Sequence, residues 1–109
     1  MLELWQTEWC PASRRIRARL TELGVDYVTR QVPVDKAERT ALRQKTGSDT
    51  IPALVLADGT ITIGEEAIRG YLDDQIAEPR EAEAHRLKAA KARRRYLEEE
   101  CECSQRPTH

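Results

Sequence analysis

The sequence predicts an α/β domain of order β-α-β-α-β-β-α, with a mixed four-stranded sheet, followed by a charged C-terminal helix. Three observations carry this. Short apolar stretches at residues 2–5, 25–34, 51–57 and 60–63 are separated by segments whose apolar residues recur at helical spacing. A hairpin turn signal, Asp58-Gly59, joins the last two stretches. From Ala77 the composition turns to Ala, Glu, Arg and Lys, which favour a solvated helix. The chain has 109 residues, 39% apolar and 34% charged, with two Trp, three Tyr and no Phe. That length and composition suit one small core with an appendage.

The elements follow in order. Leu2, Leu4 and Trp5 alternate loosely with polar residues, as a short strand does. Pro11 favours the first helical position, which puts Cys10 at the N-cap. Ile16, Leu20 and Leu23 give that helix one apolar stripe, and Gly24 stops it. Tyr27, Val28 and Val32 belong to a second strand within Val25 to Val34. Asp35 then caps a helix carrying Ala37 and Leu42 and ending near Gly47. Ile51 to Ala57 is the most apolar run, and Thr60 to Ile63 is its hairpin partner. Gly64 opens a helix from Glu65 to about Ile76, with Ala67, Ile68, Tyr71 and Leu72 inward. A crossover helix makes the first two strands parallel; the hairpin makes the last two antiparallel. The core domain is therefore residues 1–76, and residues 77–109 form a helical extension with a disordered end.

Composition excludes several classes. Lys and Arg number 18 against 19 Asp and Glu, a net charge of −1, so neither nucleic acid nor an anionic membrane is expected as a partner. The apolar run Ile51 to Ala57 is far below the roughly 20 residues of a membrane-spanning helix. The start, Met1-Leu2-Glu3-Leu4-Trp5, lacks the basic and apolar regions of a signal peptide. Three cysteines are too few and too uneven for a disulfide framework. A reducing, cytoplasmic setting is the expectation. Residues 77–109 carry 8 basic and 7 acidic side chains, segmented along the helix. Self-association through residues 80–102 is the partner this segment suggests.

Four features carry chemistry. Cys10 begins a helix after a strand, where the helix dipole and free N–H groups favour the nucleophilic thiolate. Arg14 and Arg15 add positive potential one turn in. Trp9 stands beside the sulfur as an apolar shield. Thr50-Ile51-Pro52 precedes a strand, where proline suits the first residue or a cis turn. Gly64-Glu65-Glu66 opens another helix. His85 and His109 read as solvated. Cys101-Glu102-Cys103 lacks the spacing and ligand number of a zinc site, so no metal is expected.

These residues resemble the glutaredoxin family of the thioredoxin fold over residues 1–76. Trp9-Cys10-Pro11-Ala12-Ser13 is similar to the W-C-P-x-C/S active site. Thr50-Ile51-Pro52 is similar to the T-V-P cis-proline loop, and Gly64-Glu65-Glu66 to the glycine-plus-acid helix start. The Trp9-Cys10 motif and the Ala57-Asp58-Gly59-Thr60 turn also resemble mycoredoxins, and the order resembles the N-terminal domain of glutathione transferases, whose last helix Ala67-Ile68-Arg69-Gly70-Tyr71-Leu72 resembles. The resemblance implies a low-molecular-weight thiol, glutathione or mycothiol, as co-substrate, and protein mixed disulfides as partners. It implies Cys10 as nucleophile and backbone pairing of Ile51 with the bound thiol's cysteine. Glu66 or Glu65 would meet its γ-glutamyl ammonium, N–H groups at that helix start would hold its carboxylate, and Arg39 or Arg43 would meet its other carboxylate.

Two departures shape the expected chemistry. Ser13 stands where dithiol members carry a resolving cysteine, which leaves a monothiol route. Thr7 stands where many members carry a thiol-binding lysine. Three alternatives follow from the same residues. One is a non-catalytic thioredoxin-fold binding module, or a thiol-binding transferase-like domain, that works with the helical tail. A second is iron–sulfur carriage, which Pro11 disfavours where C-G-F-S members have glycine. The third is a resolving thiol supplied by Cys101 or Cys103.

Overall fold

The computed structural model describes residues 1–97. Its elements are β1 (Glu3–Gln6), α1 (Pro11–Glu22), β2 (Val28–Gln31), a 3₁₀ turn (Lys36–Glu38), α2 (Thr40–Thr46), β3 (Ala53–Val55), β4 (Ile61–Ile63), α3 (Glu65–Gln75) and α4 (Ala82–Leu97). The four strands form one sheet in the order β2-β1-β3-β4. β1 runs parallel to β2, with Leu4 opposite Thr29, and antiparallel to β3, with Leu4 opposite Leu54. β3 and β4 form the antiparallel hairpin. The Asp58 carboxylate accepts the Thr60 N–H at its turn.

Alternation along the strands divides the core between two faces. Leu4 and Leu54 point to one face and pack with Ile16, Leu20 and Leu23 of the first helical segment and Ile68 and Leu72 of α3. Ala53 points to the other, where it joins Val32 and Leu42, with Trp5 and Ile63 partly buried against them. Leu4, Ile16, Leu20, Leu54, Ile68 and Leu72 are fully buried. Each such side chain contributes about 1.5–3 kcal/mol of transfer free energy. α1 and α3 thus cover one face and α2 the other. The Arg19 guanidinium reaches Glu22, Asp73 and Glu78, which ties the end of α1 to the end of α3.

Local differences from the sequence expectation have physical causes. The second strand shrinks from 25–34 to Val28–Gln31, and every residue in it is exposed. It is an edge strand; Val25 and Tyr27 pack on the core from the connection before it. The expected helix after Asp35 divides in two. The Asp35 carboxylate caps the 3₁₀ turn by accepting the Ala37 N–H at 3.0 Å. Arg39 then leaves helical geometry, with φ −85° and ψ 45°. Its guanidinium turns inward and donates to the carbonyls of Pro33, Val34 and Asp49 at 2.8–2.9 Å. Gly47 ends α2 in the left-handed conformation, φ 79°. In α3, Ala67 is exposed rather than inward.

The described chain forms two compact units, Met1–Glu78 and the segment from Pro79 onward. In the second, α4 spans 16 residues, and its Leu87 and Ala90 are exposed. The end expected to be disordered, including Cys101 and Cys103, lies outside the described residues.

Candidate active site

Cys10 caps α1. Its backbone is extended, φ −69° and ψ 119°, and its sulfur accepts the Ser13 N–H at 3.4 Å. Pro11 starts the helix without needing a donor, and no acid stands in the first turn to oppose a thiolate. The preceding loop is fixed from below. The Cys10 N–H donates to the Thr7 carbonyl at 3.4 Å. Gln6, fully buried at the end of β1, donates to Glu8 and Gln31 and accepts from Arg17 of α1. Arg17 also reaches the Thr7 carbonyl and the Glu8 carboxylate.

The Cys10 thiol is held below its ordinary range. Burial pushes it up, and four groups outweigh that burial. They are the Ser13 hydroxyl, the Ser13 and Ala12 N–H groups, and the Arg15 charge. Ser13 itself is buried, and its Oγ has no hydrogen-bond partner of good geometry.

Cys10 opens on a cleft of about 390 Å³ lined also by Thr7, Trp9, Val34, Lys36, Arg39, Thr50 and Ile51. Trp9 is 77% exposed, so it flanks the sulfur as an open apolar wall and does not enclose it. The Ile51–Pro52 peptide bond is cis, and Pro52 is buried. The Pro52 carbonyl accepts the Gly64 N–H at 2.9 Å, which fixes the proline loop to the start of α3. Gly64 takes φ 93° and ψ 151°, a conformation open essentially to glycine.

The three sequence motifs therefore meet in one unit. Pro11, Ala12 and Ser13 form the first turn behind Cys10; Thr50, Ile51 and Pro52 form the facing loop; Gly64, Glu65 and Glu66 start α3. Glu65 is already engaged, because Arg15 donates to both of its oxygens, at 2.5 and 2.9 Å. That pair holds the Glu65 carboxyl below the usual carboxylate range. Glu66 is exposed. Arg39 and Arg43, expected at a ligand carboxylate, spend their guanidinium donors on backbone carbonyls. Sequence reasoning missed the Arg15–Glu65 pair and the Gln6–Arg17–Glu8 cluster. A buried-register glutamine in β1 was the one available signal for the latter. Among the described residues, no group of His, Cys, Asp and Glu side chains is placed to hold a metal.

A thiol at a helix N-cap, facing a cis-proline loop on a β2-β1-β3-β4 sheet, defines a thioredoxin-like fold with its thiol site. The glutaredoxin family model matches residues 2–61, and the chain belongs to the glutaredoxin family. No curated protein sequence matches it. Solved structures similar to it include a glutathione S-transferase domain-containing protein of Marinobacter aquaeolei VT8. That protein is 33% identical at TM-score 0.60, over 71% of this chain and 40% of its own. A glutathione transferase family member of Pseudomonas fluorescens Pf-5, solved with bound glutathione, is 27% identical at TM-score 0.65. The match covers 84% of this chain and 49% of that one. Glutathione S-transferase 1-6 of Anopheles dirus species B is 26% identical at TM-score 0.63, over 71% of this chain and 37% of its own. The chain spans half or less of the length of these proteins. No helix among the described residues is long and apolar enough to cross a membrane.

Proposed function

We propose that the chain is a monothiol thiol–disulfide oxidoreductase of the glutaredoxin type, acting through Cys10 on mixed disulfides between proteins and a glutathione-type thiol. One observation carries the reading: the Cys10 sulfur accepts the Ser13 N–H at the α1 N-cap, beside Arg15, where its thiolate is favoured. In the first step the Cys10 thiolate attacks the small thiol's sulfur in the mixed disulfide. A new S–S bond forms to Cys10, the protein–thiol bond breaks, and the protein sulfur leaves as thiolate. In the second step a free small-thiol thiolate attacks that adduct. It leaves as the oxidised small-thiol disulfide and restores the Cys10 thiolate. The oxidising equivalents pass from the protein disulfide to the small thiol, and no second chain cysteine is needed.

The cleft suits the adduct. Thr50 and Ile51 line the cleft with Cys10, and the α3 N-terminus, with Glu65 and Glu66, would supply N–H donors and carboxylates for a zwitterionic peptide. Glutathione is the favoured thiol because a 27%-identical relative is described with it bound. Mycothiol is the competing co-substrate. The test incubates the protein with glutathione and mycothiol mixed disulfides separately and reads the mass adduct on Cys10 and on Cys10→Ser. A glutathione adduct on Cys10, lost in the variant and released by free glutathione, is expected. No adduct with either thiol would refute the reading.

A thiol-binding, transferase-like domain is the second reading, favoured by the glutathione transferases among the similar structures. It predicts saturable binding of S-methylglutathione that survives Cys10→Ser, with no disulfide turnover.

A further inference from the structure

Two elements carry charged groups to the thiol's side of the molecule, and one ion pair joins them. Arg15 lies five residues beyond Cys10, about 7.5 Å along α1. Its guanidinium binds Glu65 in a two-point contact, Nε to Oε2 at 2.5 Å and Nη2 to Oε1 at 2.9 Å. The Arg15 side chain is 52% exposed and that of Glu65 28%, so the pair sits at the surface. Arg15 has a second electrostatic partner, since it and Cys10 each favour the other's charged form.

Other charged groups lie on the elements that carry the site. Arg14 is on the thiol's own helix, Glu8 in the loop before it, Lys36 and Arg39 along the cleft, and Glu66 and Arg69 on α3. Arg17 and Gln6 hold Glu8, and three backbone carbonyls hold Arg39. Arg15 differs from these in being shared between a carboxylate and the thiol.

We propose that Glu65 is a positioning residue for the thiol chemistry: by holding the Arg15 guanidinium at the start of α3, it sets how much of that positive charge reaches the Cys10 sulfur. The proposal rests on Cys10 being the reactive thiol. Glu65 thus has a role besides any contact with a ligand. It tempers the thiolate while the site is empty. A ligand ammonium placed on Glu65 competes for the carboxylate and releases Arg15 toward the sulfur.

The test is the pH profile of Cys10 alkylation by iodoacetamide, read on the Cys10 peptide by mass spectrometry so that Cys101 and Cys103 do not contribute. It uses the full chain and Glu65→Gln, Glu65→Asp, Arg15→Gln and the double variant, with thermal melts as controls for folding. Glu65→Gln is expected to lower the midpoint, raising the thiolate fraction about threefold at a fixed pH below it. Glu65→Asp restores the parent profile, Arg15→Gln raises the midpoint, and Glu65→Gln has a smaller effect in the Arg15→Gln background. A Glu65→Gln profile that superimposes on the parent, or moves upward, overturns the proposal. The oxidoreductase reading fails separately: a chain whose profile responds as expected but which reduces no mixed disulfide loses that reading and keeps this one.

Discussion

Ser13 occupies the position from which a resolving cysteine would attack, yet it bears directly on the thiol. Its N–H donates to the Cys10 sulfur, and its buried hydroxyl favours the thiolate. Ser13→Ala should therefore raise the Cys10 alkylation midpoint while leaving the fold intact, because a buried hydroxyl without a good neutral partner adds little stability. A midpoint unchanged in Ser13→Ala would assign the effect to the helix N–H groups and Arg15. Stability follows the same linkage. The folded-state value for Cys10 lies below its ordinary unfolded one, so ionisation favours the folded state. That contribution is complete above the unfolded value and is lost as pH falls through the folded one. Between the two, urea stability of the parent should rise with pH relative to Cys10→Ala. Parallel curves would contradict it. Arg39 shows what a residue-level reading could not see. The family resemblance implied ligand contact for it, but it is 7% exposed and donates to three carbonyls. Helical periodicity carries no signal for a side chain that folds back on its own loop.

At the scale of elements, β1, β3 and α1 were legible because their buried apolar residues recur at strand or helix spacing, whereas the edge strand β2 is exposed throughout and its bounds were not. Ile16, Leu20 and Leu23 fall on one stripe, and Leu4 and Leu54 meet across β1 and β3. Leu54→Ala should cost about 2–5 kcal/mol in urea denaturation, as large-to-small changes at fully buried leucines do. A loss under 1 kcal/mol would mean that this face repacks. The second helix was less legible, since its division at Arg39 depends on tertiary hydrogen bonds that no local pattern encodes. The site's three motifs could be read as sequence, but their convergence depends on single contacts. The Gly64 N–H to Pro52 carbonyl bond joins two of them, and Arg15–Glu65 ties α3 to the thiol's helix. Gly64→Ala has space for a methyl group but not a compatible backbone, φ 93°. It should cost about 1–3 kcal/mol and weaken thiol binding along with stability. A variant as stable as the parent would show that the α3 start can relax.

At the scale of the whole molecule, the question is whether the thiol site needs the helical extension. Both core clusters, all four strands and every group that favours the Cys10 thiolate lie within residues 2–76. The segment from Pro79 is a separate compact unit whose helix exposes Leu87 and much of its basic face. A chain ending at Glu78 should therefore fold cooperatively, keep a mixed α/β circular dichroism and retain the parent Cys10 alkylation profile. The same cut separates two roles for the extension. If residues 80–102 mediate self-association, sedimentation of the full chain should show a concentration-dependent larger species that the shortened chain lacks, with Cys10 chemistry equal in both. A shortened chain that is unfolded would instead make the extension part of the domain's stability. One that is folded but has a raised Cys10 midpoint would place a further influence on the thiol beyond Glu78.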